Sequence, residues 1–443
     1  MKRWLFVLVI LITNSWEATA FAAKSPDELR QERLVLQERL DKLAQSLPQT
    51  LTWTRGRKLG SGTYGAVECV SHVVLTPPRR MSGEDMGASA EIESEAGAAA
   101  GTAVGAAVGT FFALKKFYLY YAGEKNIDRC PCGMPWCEEY QIAVKSFLNE
   151  AETLLRVRGA RFVMPILAYD PPDGTKPPAI LMPLMSINLE QLMKRPYPVE
   201  FRIRVLEKIA LGLQELHDKE IVHCDLKSSN ILVRFSLDLK EIEVVYVSDL
   251  DSANAISEVE PAICTLWFRA PEWILKGEYN SAADIFSFGC VMAELLAGRN
   301  LLMGNAEISQ LFLIFQLAGT PSPGTWPGIE KRPHYSPEFP KWRDRRKERL
   351  ERALPRAAHP YIHLLEQMFS VNPAERPSAA DVARELQEIR LSIEEGERVL
   401  RSPSLLESEA KRRRVDTSAD SADVVPPEAV RALEAGASID AAH

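Results

Sequence analysis

Residues 223–230 read His223-Cys224-Asp225-Leu226-Lys227-Ser228-Ser229-Asn230, and this octapeptide constrains the chain more than any other stretch. An Asp is followed two positions later by Lys and five positions later by Asn. One loop thereby holds a proton acceptor, a cation able to face a phosphate, and an amide oxygen able to ligate Mg²⁺. Asp-x-Lys-x-x-Asn alone arises often by chance, so its meaning rests on what accompanies it.

Gly60-Ser61-Gly62-Thr63-Tyr64-Gly65-Ala66-Val67 has the spacing G-x-G-x-x-G-x-V. Glycines there let a hairpin backbone close over phosphates with its N–H groups facing them. The string follows Leu59 and precedes an apolar strand. Two lysines sit in similar strings, Phe112-Ala113-Leu114-Lys115 and Ile142-Ala143-Val144-Lys145. Phe147 to Val157 has a helical pattern that carries Glu150. Lys145 precedes Glu150 by five residues, too few for a strand, a turn and a helix start, so Lys145 belongs on that helix. Lys115 leaves ample room, and the spacing favours Lys115 with Glu150. Ile180-Leu181-Met182-Pro183-Leu184-Met185 reads as an apolar strand running into a connection. Val247-Ser248-Asp249-Leu250-Asp251 puts an acid after another apolar run, where a carboxylate can ligate Mg²⁺.

In this order the strings resemble the motifs of eukaryotic protein kinases, from residue 51 to about 392. The 223–230 loop is similar to the family's His-Arg-Asp-Leu-Lys-x-x-Asn, with Cys224 in place of Arg. Asp249-Leu250-Asp251 stands where the family has Asp-Phe-Gly. Cys264-Thr265-Leu266-Trp267-Phe268-Arg269-Ala270-Pro271-Glu272 resembles the end of an activation segment. The resemblance implies that Glu272 pairs with Arg376, that Thr265 bonds near Asp225, and that Asp284 braces the loop backbone. The strings from Thr265 to Glu272, Glu307 to Phe312, Gly319 to Pro321 and Trp326 to Gly328 are most similar to cyclin-dependent kinases and their relatives. No counterpart of their cyclin-binding helix sequence stands out around Glu150.

The resemblance implies an α+β, bilobal fold, with a small β-rich N-lobe carrying one main helix and a larger, mainly helical C-lobe. It implies a protein serine/threonine kinase that uses ATP and Mg²⁺ and acts on protein Ser/Thr hydroxyls, with a weakly implied preference for a following Pro. Asp225, Lys227, Lys115 and Glu150 take the catalytic roles. Gly60, Ser61, Gly62, Thr63, Tyr64, Gly65 and Val67 cover the phosphates. Ala113, Lys115, Met182, Pro183 and Met185 contact the nucleotide, and Asn230 and Asp249 hold the metal. Two departures concern regulation: the usual phosphorylated Thr is Glu260 and the Arg that clamps it is Cys224, which together predict activity independent of activation-loop phosphorylation. A third departure, Asp251 for Gly, removes easy access to φ > 0 and adds charge near the metal. It supports a competing expectation, a pseudokinase scaffold. An ATP-binding structural module anchored by the N-terminal helix is a third.

The remaining signals concern destination and layout. Lys2 and Arg3 precede the apolar run Leu5 to Ile12, and Ala18-Thr19-Ala20 offers small residues for cleavage, so residues 1–22 read as a signal peptide or a retained signal anchor. Leu29, Leu36, Leu40, Leu43 and Leu47 recur at helical spacing within an extension over 24–49. It reads as a helix docked on the following domain, a coiled-coil seam or a membrane-surface helix. The N-lobe is expected over 50–186, with inserts at about 76–110 and 120–140, the C-lobe over 187–395, and a disordered tail over 396–443. Cys130, Cys132 and Cys137 suggest a local disulfide with one thiol over, or free thiols. Lys411 to Arg414 reads as a solvated charge run or a nuclear-import signal. A net charge of −7 gives no reason to expect nucleic acid. Signal, amphipathic extension and divergent kinase-like motifs together are similar to the secreted rhoptry kinases of apicomplexan parasites, which implies a secretory destination.

Overall fold

The computed structural model describes residues 26–47, 49–61, 65–76, 90–91, 112–117, 119–121, 124–126, 137–173, 176–236, 241–255, 264–277 and 279–400. The expected signal segment, Gly62, Thr63, Tyr64, most of the 76–110 insert, Cys130, Cys132, Glu260 and the run Lys411–Arg414 lie outside these residues.

A helix, α1 (Pro26–Ser46), opens the described chain, with Asp27 and Glu28 in a first turn whose free N–H groups favour negative charge. Strands β1 (Gln49–Ser61), β2 (Gly65–Thr76), β3 (Phe112–Phe117), β4 (Ala168–Asp170) and β5 (Ala179–Pro183) follow. They form a sheet in the order β1-β4-β5-β3-β2, extended by the short strand Ala90–Glu91, and β1 also pairs with β2. All six residues of β3 are buried, which fits a central strand covered on both faces. Between β3 and β4 lie a small hairpin, Leu119–Tyr121 with Glu124–Asn126, and helix α2 (Glu138–Arg156). The second insert, expected to reach 140, thus contains paired strands, and α2 has already begun at Glu138.

Helix α2 is held from two sides. Phe147 meets Phe117 edge-on and lies 5.9 Å from Tyr169, fixing one face to the sheet. Asn149 and Glu152 fall roughly opposite Phe147 at about 100° per residue. Both are bound by Arg39 of α1: its guanidinium reaches each Glu152 oxygen and Asn149 Oδ1 at 2.9 Å. Leu36, Leu40, Leu43 and Leu47 are buried, while Leu34 and Val35 face solvent. The N-terminal extension is therefore a helix docked on α2. No helix among the described residues is long and apolar enough to cross a membrane.

The second part is mainly helical: α3 (Leu189–Met193), α4 (Val199–His217), α5 (Pro271–Ile274), α6 (Ser281–Ala297), α7 (Glu307–Ala318), α8 (Arg346–Ala353), α9 (Ile362–Met368) and α10 (Ala379–Leu400). Two strands, β6 (Ile231–Phe235) and β7 (Ile242–Val247), pair antiparallel and frame the loops that carry the site. Gly212 of α4 has no room for a side chain: an added Cβ would lie 2.8 Å from Phe162 O and 2.9 Å from Val247. That close approach seats α4 against the end of β7. Helix α6 is apolar and buried nearly throughout; Asn280 caps its start, and Gly298, at φ 72°, closes its end. Residues up to Leu386 form one compact unit. The second unit, from Gln387, is helical to Leu400, past position 395 where the sequence pattern closed the lobe, and carries an Arg390–Glu394 pair at 3.0 Å.

A buried ion pair fastens the helical part. Arg376 grips both Glu272 oxygens, at 2.6 and 2.8 Å, and also donates to Ser370 O and Ala282 O. Removing one partner of such a pair strands the other charge without solvent, at a cost of about 3–5 kcal/mol. Arg376→Ala is expected to lower the unfolding free energy by about that amount in urea titrations; a loss below about 1 kcal/mol would show the pair to be dispensable.

Candidate active site

Side chains alternate across a strand, so Ala113, Lys115 and Phe117 share one face of β3. Phe117 meets Phe147 of α2, so this face looks toward the helix. Lys115 Nζ donates to Glu150 Oε2 at 2.6 Å and also to Asp249 Oδ1. Lys115 is 7% exposed and Glu150 1%. Lys145 lies on α2 itself, on its exposed side. Across the sheet, Ala113 stands in register with Met182 and both are buried, while Pro183 and Met185 are half-buried at the start of the connection. The ends of the Gly-rich hairpin are paired, Gly60 with Val67, Ser61 with Ala66, and Gly65 with Phe117.

The loop of residues 223–230 is built around backbone hydrogen bonds. Asp284 has no exposed surface; its carboxylate accepts from the N–H groups of His223 at 2.8 Å and Cys224 at 3.1 Å, and faces His217 Nε2 at 2.9 Å. Cys224 adopts φ 67°, a left-handed conformation that costs a non-glycine residue about 1–2 kcal/mol. The Asp284 bonds hold it there. His223 Nδ1 accepts from the Asp225 N–H at 3.3 Å, leaving Nε2 as the donor to Ser248 O at 3.1 Å. Asn230 Nδ2 donates to Asp225 O at 3.0 Å, and Asn230 O accepts from Ser248 N–H and Oγ, which ties the loop to the end of β7.

Asp225 projects from this frame. Its Oδ1 accepts from Thr265 N–H and Oγ1, each at 2.8 Å, and its Oδ2 accepts from Lys227. Lys227 also donates to Thr265 Oγ1 at 3.0 Å, so Asp225, Lys227 and Thr265 form one hydrogen-bonded cluster. Asp249 adopts φ 68°, which turns its carboxylate toward Lys115. Asp251, by contrast, is not among the residues with positive φ. The strain expected from replacing Gly at this position is therefore absent, and its consequence is electrostatic alone.

Three carboxylates compete for one ammonium. Burial opposes the charge of Lys115, but Asp249, Glu150 and Asp251 outweigh it and raise its pKa well above normal. Burial pushes Glu150 up to about 7 against the pull of Lys115, with Asp249 and Asp251 adding to the rise. Asp251 is pushed up to about 6, mainly by burial and in part by Asp249. One oxygen from each of Glu150, Asp249 and Asp251 lies within 4.8 Å of the others.

Sequence reasoning missed several supports. Arg39 reaches Glu152 from a helix 113 residues away, and nothing in its local pattern marks it. Lys116, next to Lys115 on β3, is buried in an ion pair with Glu68 at 3.1 Å that no motif marks. Ser228 donates to the buried side of Glu294 on α6. Asp284→Ala would leave the His223 and Cys224 N–H groups without acceptors, at about 1–3 kcal/mol each. A drop of that order in unfolding free energy is expected; an unchanged midpoint would mean that the loop holds its own shape.

Comparison with known proteins adds an independent line. The protein kinase domain family matches residues 136–386, more than half of the chain. Cell division control protein 2 homolog 2 of Trypanosoma brucei brucei is 37% identical over 203 residues, 45% of this chain and 56% of that protein. Homolog 3 of the same organism is 40% identical over 184 residues, 40% of this chain and 56% of that protein. The matched region thus spans about half the length of these relatives. In fold, the chain is similar to one in the CAK complex of Chaetomium thermophilum, solved bound to ATP-γ-S. That likeness has a TM-score of 0.56 at 20% identity and covers 79% of this chain and 93% of the other. With a sheet-based first lobe, a helical second lobe and these matches, the chain belongs to the eukaryotic protein kinases, close to the cyclin-dependent kinases.

Proposed function

We propose that the chain is a serine/threonine protein kinase that transfers the γ-phosphate of ATP to protein hydroxyls. The observation that carries this reading is the simultaneous assembly of two half-sites. Lys115 is bound to Glu150 and Asp249, while Asp225 is bound to Lys227 and Thr265. Glu150 holds the Lys115 ammonium, which would meet the α- and β-phosphates, and the Gly-rich string from Gly60 to Val67 is the segment that would cover them. Ala113 and Met182, in register across the sheet, would flank the base, with the carbonyl of Pro183 and the backbone of Met185 at its edge. Asp225 takes the proton of the acceptor hydroxyl, and Lys227 offsets charge on the phosphoryl group in flight. Lys227 favours Ser/Thr over Tyr as acceptor.

The donor chemistry fits Mg²⁺, which prefers oxygen ligands. Asp249 and Asn230 would hold it, and the oxygens of Glu150, Asp249 and Asp251 that approach within 4.8 Å of one another make the surroundings suited to a cation. When bound, the metal would neutralise charge on the β- and γ-phosphates. Purified protein with Mg²⁺ and labelled ATP is expected to label a generic basic protein. Asp225→Asn and Asp249→Ala should each reduce the label by about 10²-fold or more. Equal labelling by both variants would trace the activity to a contaminant. Nucleotide binding without transfer by the unaltered protein would favour the pseudokinase reading, which the added charge of Asp251 supports.

Control is proposed to be independent of activation-loop phosphorylation. Cys224 is buried, and its thiol points to Val222 O at 3.5 Å, so position 224 supplies no cation to clamp a phosphate. Phosphatase-treated enzyme is expected to keep its activity; its abolition, with no other phosphosite responsible, would remove this proposal. The layout of residues 1–22 supports entry into the secretory pathway, for which an intact, uncleaved Met1 on the exported protein would be contrary evidence unless the segment is retained as an anchor.

A further inference from the structure

Asp251 is the ionisable group of the site to which the proposed phosphoryl transfer gives no task. Its Oδ1 accepts from Ser252 Oγ at 3.2 Å, but its Oδ2 is buried without a hydrogen-bond partner. A buried acceptor left without a donor costs about 1–3 kcal/mol, so its place in the fold points to a ligand on that side. The carboxylates of Glu150 and Asp249 are neighbours of Asp251, each with an oxygen within 4.8 Å of one on Asp251. The hydrogen bonds of Lys115 go to Glu150 and Asp249. One ammonium cannot balance three carboxylates, so the cluster of buried Glu150 and half-buried Asp249 and Asp251 carries surplus negative charge.

We infer that Asp251 is a further ligand of the divalent cation at this site, and that the cation binds before the nucleotide. The inference rests on the reading of Asp249 as a metal-holding residue. Mg²⁺ sites built from one or two carboxylates complete their charge with substrate phosphates, so the metal arrives with its nucleotide. Here Asp251 adds a fixed anionic oxygen beside Asp249 and supplies part of what the phosphates otherwise bring. Its backbone is free of left-handed strain, so no such strain opposes its position beside Asp249. The surplus carboxylate also suits Mn²⁺, whose carboxylate-and-water preferences resemble those of Mg²⁺.

The test uses nucleotide-free, full-length protein titrated with Mn²⁺, with free Mn²⁺ read by its paramagnetic resonance and Mg²⁺ as competitor. One Mn²⁺ site that Mg²⁺ displaces is expected. Asp251→Gly and Asp251→Asn, each checked by thermal unfolding, should weaken it by about ten-fold or more. Asp251→Asn preserves volume and carries the test if the Gly variant does not fold. No Mn²⁺ bound by the unaltered protein without nucleotide, or equal affinity in the folded variants, overturns the inference. Phosphoryl transfer is read separately. Transfer with a Mn²⁺ site indifferent to Asp251 removes this inference and leaves the kinase reading standing. An Asp251-dependent site without transfer does the reverse.

Discussion

Asp284 lies fully inside the protein and spends its carboxylate on the backbone at the start of the 223–230 loop. Two N–H groups and one imidazole converge on it, and the left-handed turn at Cys224 exists because those bonds exist. Everything downstream inherits that geometry. Asp225 faces Thr265 because the loop has turned, and Asn230 can reach back to the Asp225 carbonyl for the same reason. The carboxylate is mounted on α6, an apolar helix buried on all sides, so it has no softer surroundings into which to relax.

The upper half of the site depends on a different balance. In its proposed role of binding phosphates Lys115 must be charged, yet it is buried on a central strand. Its neighbours solve this by excess: three acids surround one base, so the base keeps its proton while the acids compete. The same excess makes the region anionic overall. That is a poor environment for a polyphosphate unless a cation accompanies or precedes it, which is why the proposed order of ligand binding turns on the departure at position 251.

The catalytic-loop string and the strand-borne Lys115 were legible because their information is local. Five residues are too few between a strand lysine and a helix glutamate, and that count separated Lys115 from Lys145. The two-lobed α+β class was implied by the resemblance that the ordered motifs carry. Partnerships between distant surface-like residues were not legible. Arg39 and Glu152 both belong to charged helical patterns that read as solvated faces, and only their packing brings them together. Lys116 and Glu68 lie on neighbouring strands and are buried together as an ion pair, which only the folded chain reveals. Asp251 misled differently: Gly in related motifs suggests a need for positive φ, but here the left-handed residue is Asp249.

The span of these contacts has a consequence for how the protein folds. Lys115 and Asp249 are 134 residues apart in sequence, Glu272 and Arg376 are 104, and Arg39 and Glu152 are 113. Each closes a long loop whose entropy must be met before the contact returns any energy. Helices α4 and α6 and the β1–β2 hairpin can form from nearby residues, but the Lys115–Asp249 bridge requires both lobes to exist first. The site should therefore be among the last parts to become ordered in refolding, and folding intermediates should hold native-like helices and sheet while lacking a nucleotide pocket.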